Sequence, residues 1–165
     1  MAERRPTAVA ARGFTLLELM IVVALAALLS VVALPRLTSA VAARKADSLS
    51  QLFVQDANWV RAQAVAGKSP ASITLQSDCS WQASVAGQTD AQHTLSAAQV
   101  QAQYPGASCS GLPSGGLQLS YDDVGLVALG SSATVTFALA GNPQAPQQLY
   151  IYASGVIVWG ANVAS

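Results

Sequence analysis

The stretch Gly13-Phe14-Thr15-Leu16-Leu17-Glu18-Leu19-Met20-Ile21-Val22-Val23-Ala24-Leu25 decides how the first part of the chain folds. Apolar sequence continues to Leu34, and Glu18 is the only charged residue among the 21 positions from 14 to 34. At the helical rise this run spans roughly 30 Å, the thickness of a bilayer core. An acidic side chain at mid-membrane costs about 2.5–3.5 kcal/mol or more, so Glu18 is expected to have a partner. A cleaved secretory signal has an apolar region of about 7–15 residues and a small-x-small site at its end. This run is longer, holds Glu18 inside it, and ends on Leu34-Pro35-Arg36. A retained helix is therefore expected over residues 14–36.

Charge is distributed unevenly around that helix. Arg4, Arg5, Arg12 and Arg36 flank it, and positive charge before a span stays cytoplasmic. The remainder then faces the opposite side, in a Gram-negative cell the periplasm. After Ala46 only Arg61 and Lys68 stand against six aspartates, a net charge of −4. Such a surface does not suit phosphate binding, and no nucleic-acid partner is expected. Two cysteines, Cys79 and Cys109, permit a single bridge, and an oxidising compartment favours it over two free thiols.

Beyond Pro35 the apolar residues become periodic. Leu37, Val41, Leu49, Leu52, Phe53, Val60 and Ala64 recur at three- and four-residue spacing, which predicts an amphipathic helix. Gly67 ends it and Pro70 prevents its resumption. The spacing predicts one helix from about residue 14 to 66, bent near Pro35, where an N–H is missing. Alternation around Ile73 and Leu75, over 79–85, 117–121 and 135–139, and in a closing hairpin over 149–159 predicts short antiparallel strands. Residues 87–116 are read as irregular apart from 94–103. The resulting fold class is α+β: a long N-terminal helix packed on a C-terminal antiparallel β-sheet domain. Its segments are a leader (1–13), a membrane and assembly helix (14–36), its amphipathic continuation (37–67) and a β domain (68–165).

The basic leader, Gly13, Phe14 and Glu18 together resemble the class III signal of type IV pilins and type II secretion pseudopilins. The resemblance implies that a prepilin peptidase cleaves after Gly13 and methylates the new N-terminus at Phe14. It also implies that Glu18 answers the terminal amine of a neighbouring subunit; both charges, desolvated, are stabilised only when brought together. Pro35 falls where many pilin helices carry a proline. The later sequence is similar to the GspH/FimT group of minor pseudopilins. Some FimT-branch members bind DNA through a Gly-Arg-x-Arg motif, whereas the comparable stretch here is Gly155-Val156-Ile157-Val158, with no arginine. The resemblance thus implies a minor pseudopilin of a type II secretion system, anchored once in the inner membrane with its C-terminal domain in the periplasm. Its partners would be other pseudopilins, the peptidase and the inner-membrane secretion platform. A subunit of a type IV pilus, including a DNA-uptake pilin, is the alternative.

No enzyme, cofactor or metal is expected. Gly67-Lys68-Ser69 follows a helix and so cannot aim a helix N-terminus at a phosphate; it is expected to be a helix C-cap. His93, the only histidine, is expected to be a surface polar residue, and Asp122-Asp123 before Gly125 a turn. Trp59 and Trp159 are expected in the core or an interface.

Overall fold

Helix α1 (Leu16–Gly67) takes up the long apolar run and its periodic continuation. The computed structural model describes residues 14–127, 129, 131–140 and 146–160, without the side chains of residues 30–35 and 37. The expected leader, Gly13 included, lies outside the described residues. The helix passes through position 35. The chain divides into two compact units, Met1–Leu37 and Thr38–Ser165.

In the second unit α1 presents one apolar stripe. Ala42, Ala46, Leu49, Phe53, Ala57, Val60 and Ala64 are buried, separated by steps of three or four residues. Val41, expected on this stripe, is instead exposed, and Ala42 takes the inward position. The small side chains of Ala42 and Ala46 let the helix sit against Leu139, Tyr104 and Ala107, a fit that hydrophobicity alone does not rank.

Two four-stranded antiparallel sheets cover that stripe. The first has the order β3-β2-β1-β5, from β1 (Ala71–Leu75), β2 (Trp81–Val85), β3 (Gln88–Leu95) and β5 (Leu117–Tyr121). The second has the order β4-β6-β7-β8, from β4 (Ala107–Ser110), β6 (Ala133–Leu139), β7 (Gln147–Ile151) and β8 (Ile157–Trp159). Alternation sets the inward faces: Ala71, Ile73 and Leu75 on β1, and Val135, Phe137 and Leu139 on β6. Phe53 joins the three layers, its ring 5.6 Å from Trp81 in the first sheet and 5.8 Å from Phe137 in the second. Helix, first sheet and second sheet thus share one core.

The segment 87–116, read as irregular apart from 94–103, holds β3, β4 and, within the excepted stretch, a short helix α2 (Ala97–Gln103). Helix α2 starts with a capping box in which the Ser96 hydroxyl accepts from the Gln99 N–H and the Gln99 side chain accepts from the Ser96 N–H. A disulfide joins Cys79, in the β1–β2 turn, to Cys109 on β4. The Cys109 N–H also donates to the Ser77 carbonyl at 2.9 Å, so this tie between the sheets is both covalent and hydrogen-bonded.

Candidate functional site

The residues that carry the expected chemistry begin at the first turn of α1. Phe14 precedes the helix and is 82% exposed. Thr15 stands at the N-cap, where its hydroxyl accepts the Glu18 N–H at 3.2 Å. Its carbonyl accepts the Leu19 N–H at 3.2 Å and closes the first turn. Threonine followed three residues later by glutamate is a helix-start pattern, and a carboxylate in the first turn is favoured by the helix dipole. Thr15 therefore fixes where the helix starts and so where Glu18 stands relative to Phe14. The sequence carried this signal in Thr15-Leu16-Leu17-Glu18, and the reading above gave Thr15 no role.

On both sides of Glu18 the start of the helix is apolar and uncovered. Leu16, Leu17, Leu19, Met20, Leu28 and Leu29 are all at least 60% exposed. Among the described residues no helix is long and apolar enough to cross a membrane; the far part of the expected span, residues 30–35, falls outside the described side chains. In water, burying each such side chain is worth about 1.5–3 kcal/mol, so this face needs lipid or other helices around it.

Within the second unit the polar residues singled out above take structural positions. His93 is half-buried, not a free surface side chain: its Nδ1 lies 2.8 Å from Asp56 Oδ1, and its ring stacks on Trp59 with centroids 3.7 Å apart. Asp56 is itself buried and accepts the Trp81 indole N–H at 2.9 Å. The cluster satisfies a buried carboxylate and fastens β3 and β2 to α1. Sequence spacing gave no hint of it, because 37 residues separate Asp56 from His93.

Asp122 forms the expected turn, its Oδ1 accepting from the N–H groups of Val124 and Leu126. Lys68 follows the last residue of α1 with φ 47°, and the Ser69 N–H donates back to the Ala64 carbonyl at 3.3 Å, as a helix C-cap requires. Trp59 packs on the core edge, whereas Trp159 is 42% exposed. Burial pushes the Tyr121 phenol up to about 12, opposed in part by Arg61. The Ser80 hydroxyl and N–H hold the Asp78 carboxyl below its usual range. A cavity of about 360 Å³ on the outer side of the first sheet is lined mainly by hydroxyl and amide side chains, among them Thr74, Gln82, Thr89 and Ser96. No group of three or more His, Cys, Asp or Glu able to hold a metal occurs among the described residues.

Comparison with known families finds the prokaryotic N-terminal methylation motif at residues 10–34 and the family described as type II transport protein GspH at residues 49–155. No curated protein matches the sequence. Among solved structures, the type IV minor pilin FimU of Pseudomonas aeruginosa (strain PAO1) is similar in fold: 15% identity and a TM-score of 0.51, covering 70% of this chain and 87% of that one. A second crystal form of FimU gives 15% identity and a TM-score of 0.48, with 70% and 91% covered.

Proposed function

We propose that this chain, which belongs to the type II transport protein GspH family, is a minor pseudopilin that acts by assembly and performs no reaction of its own. In this role the prepilin peptidase removes residues 1–13 and methylates Phe14. The helix over residues 14–36 then anchors the protein once in the inner membrane, with the β domain in the periplasm. Assembly moves the helix from lipid into a bundle of equivalent helices, where Glu18 pairs with the terminal amine of a neighbour and sets the axial register. Pro35 allows a bend between the bundled and amphipathic parts. The filament lies in the periplasm and helps drive protein export across the outer membrane.

One observation supports this above the rest: Glu18 is the single charge in the described apolar, exposed start of α1, one turn from Phe14 and positioned by Thr15. A second role is favoured by the same methylation motif and by the shared fold of FimU, a type IV minor pilin: membership of a type IV pilus. Uptake of DNA is disfavoured by the aspartate excess and the arginine-free stretch Gly155–Val158.

Processing is the direct test. Gly13→Leu should leave the leader attached while membrane insertion continues, and the wild-type protein should carry an N-methylated Phe14 by mass spectrometry. A mature protein still starting at Met1 would refute the role. Deletion of the gene separates the two systems: lost secretion with intact pili supports the pseudopilin, and lost pili with intact secretion supports the pilin.

A further inference from the structure

Three segments of the Thr38–Ser165 unit meet at one corner: the last turns of α1, the loop 122–127 and the turn 152–156 between β7 and β8. A Cβ on Gly125 would lie 2.8 Å from Val65 Cγ2 and 3.2 Å from Arg61 Nε, so the loop rests directly on α1. A Cβ on Gly155 would lie 2.6 Å from Val127 Cγ2, and Val127 is bridged to Tyr121. Both glycines have φ near +76°, which other residues rarely adopt. The loop is fixed internally as well, with Asp122 Oδ1 accepting from Leu126 N–H at 2.7 Å and the Asp122 N–H donating to the Leu126 carbonyl at 3.0 Å. The Tyr152 N–H likewise donates to the Val156 carbonyl at 2.9 Å.

This well-tied backbone holds five large apolar side chains in solvent: Val65, Val124, Leu126, Tyr152 and Val156, exposed by 46, 63, 51, 50 and 42%. Together they expose roughly 400 Å², within the range of the largest apolar patch on a typical soluble domain, which is often a functional one. Asp122 and Asp123 sit at its rim, and no charged residue follows them in the sequence.

We infer that this corner docks a neighbouring pilin-type subunit that is already held beside the chain through the N-terminal helix, an inference that rests on the filament role proposed above. Area decides the occupant. A self-sufficient interface needs about 800 Å² from each partner, twice what the corner offers. It therefore holds neither a stable dimer of this chain nor a free partner, and acts on a subunit whose position another contact supplies. A bilayer surface fits poorly, because anionic headgroups repel Asp122 and Asp123, which outnumber Arg61 beside Gly125.

The test uses the full chain in its own cells, with a benzophenone amino acid placed at position 126 in the corner, 22 in the helix, or 82 on the exposed side of the first sheet. The expected result is an adduct at 126, identified by mass as a pilin-type subunit with a methylated N-terminus, and little adduct at 82. Glu18→Ala should abolish it, and Val124→Asp should reduce it tenfold or more while the adduct at 22 persists. An adduct at 22 with none at 126 overturns the corner and leaves the filament role standing; no adduct at either position overturns both. A corner adduct with lipid or with a second copy of this chain, or one unchanged in Glu18→Ala, also overturns the inference.

Discussion

Replacing Asp56 tests what fastens the first sheet to α1. The carboxylate accepts from the Trp81 indole at 2.9 Å and lies 2.8 Å from His93 Nδ1, and it is 7% exposed. Asp56→Ala removes two hydrogen bonds to a charged acceptor, each worth about 1.5–3 kcal/mol, and leaves the indole N–H without a partner in the core. His93 is partly exposed and can turn to water, so its share falls at the lower end. The expected loss is about 3–4 kcal/mol, a large fraction of the 5–15 kcal/mol that stabilises a typical domain. Asp56→Asn should behave differently. Its amide oxygen still accepts from Trp81, and its amide nitrogen can donate to Nδ1 of a neutral His93 ring protonated on Nε2. That variant should lose only about 1 kcal/mol. The assay is urea unfolding of the Thr38–Ser165 unit, which contains this core, followed by tryptophan fluorescence, to which Trp59, stacked on His93, and buried Trp81 contribute. Equal losses in the two variants would refute the reasoning, since they would make the charge, not hydrogen-bond satisfaction, the feature that matters. A loss below about 1 kcal/mol in Asp56→Ala would refute it too.

Two further outcomes follow from the same core. Serine at both Cys79 and Cys109 opens a loop with a sequence separation of 30 and should lower stability by roughly 3–4 kcal/mol on the chain-entropy account, read as a lower urea midpoint in non-reducing buffer. Tyr121, raised from 10.0 to about 12, remains protonated in the folded state where the unfolded chain has already ionised. Its stabilisation is complete below about pH 10 and is lost as pH rises towards about 12, on the order of 2 kcal/mol in all; Tyr121→Phe should flatten that alkaline decline, and an unchanged slope would contradict it.

How legible all this was depends on how locally each element is determined. The helix over residues 14–66 was readable because its spacing is continuous, and it matches α1, Leu16–Gly67, closely. Strands with one buried and one open face were readable for the same reason, as at 117–121 and 135–139. Strand β3 was not. Gln88–Leu95 is mostly exposed on both faces, and it is positioned by pairing with β2 and by the contact of His93 with Asp56, both remote in sequence. Strand β4 is four residues long, too short for alternation to emerge. Helix α2 did leave a local trace: it lies within 94–103, the part of 87–116 excepted from the irregular reading, and Ser96 and Gln99 stand at capping-box spacing. The division into two sheets was out of reach because β1 pairs with β5 across more than forty residues of chain.

For the start of α1 the physics separates anchoring from assembly. Ten large apolar side chains between Leu16 and Leu29 are exposed, and at about 1.5 kcal/mol or more each their removal from water rivals the stability of a whole domain. That term keeps the helix out of water but cannot choose between lipid and a helix bundle, since acyl chains are as apolar as leucine. In the proposed role the choice falls to Glu18, whose cost in lipid, at most the about 2.5–3.5 kcal/mol of a mid-membrane carboxylate, is relieved when a neighbour's amine faces it. A difference of that size corresponds to roughly a hundredfold in partition between membrane and filament. Glu18→Ala should therefore insert at least as well as the wild type and enter filaments less, by up to about a hundredfold, measured as the ratio of sheared filament protein to membrane-bound protein. Glu18→Gln, polar but unable to neutralise the amine, should be nearly as poor. Filament entry by either variant at the wild-type level would remove Glu18 from the assembly step and leave it only as the residue Thr15 caps.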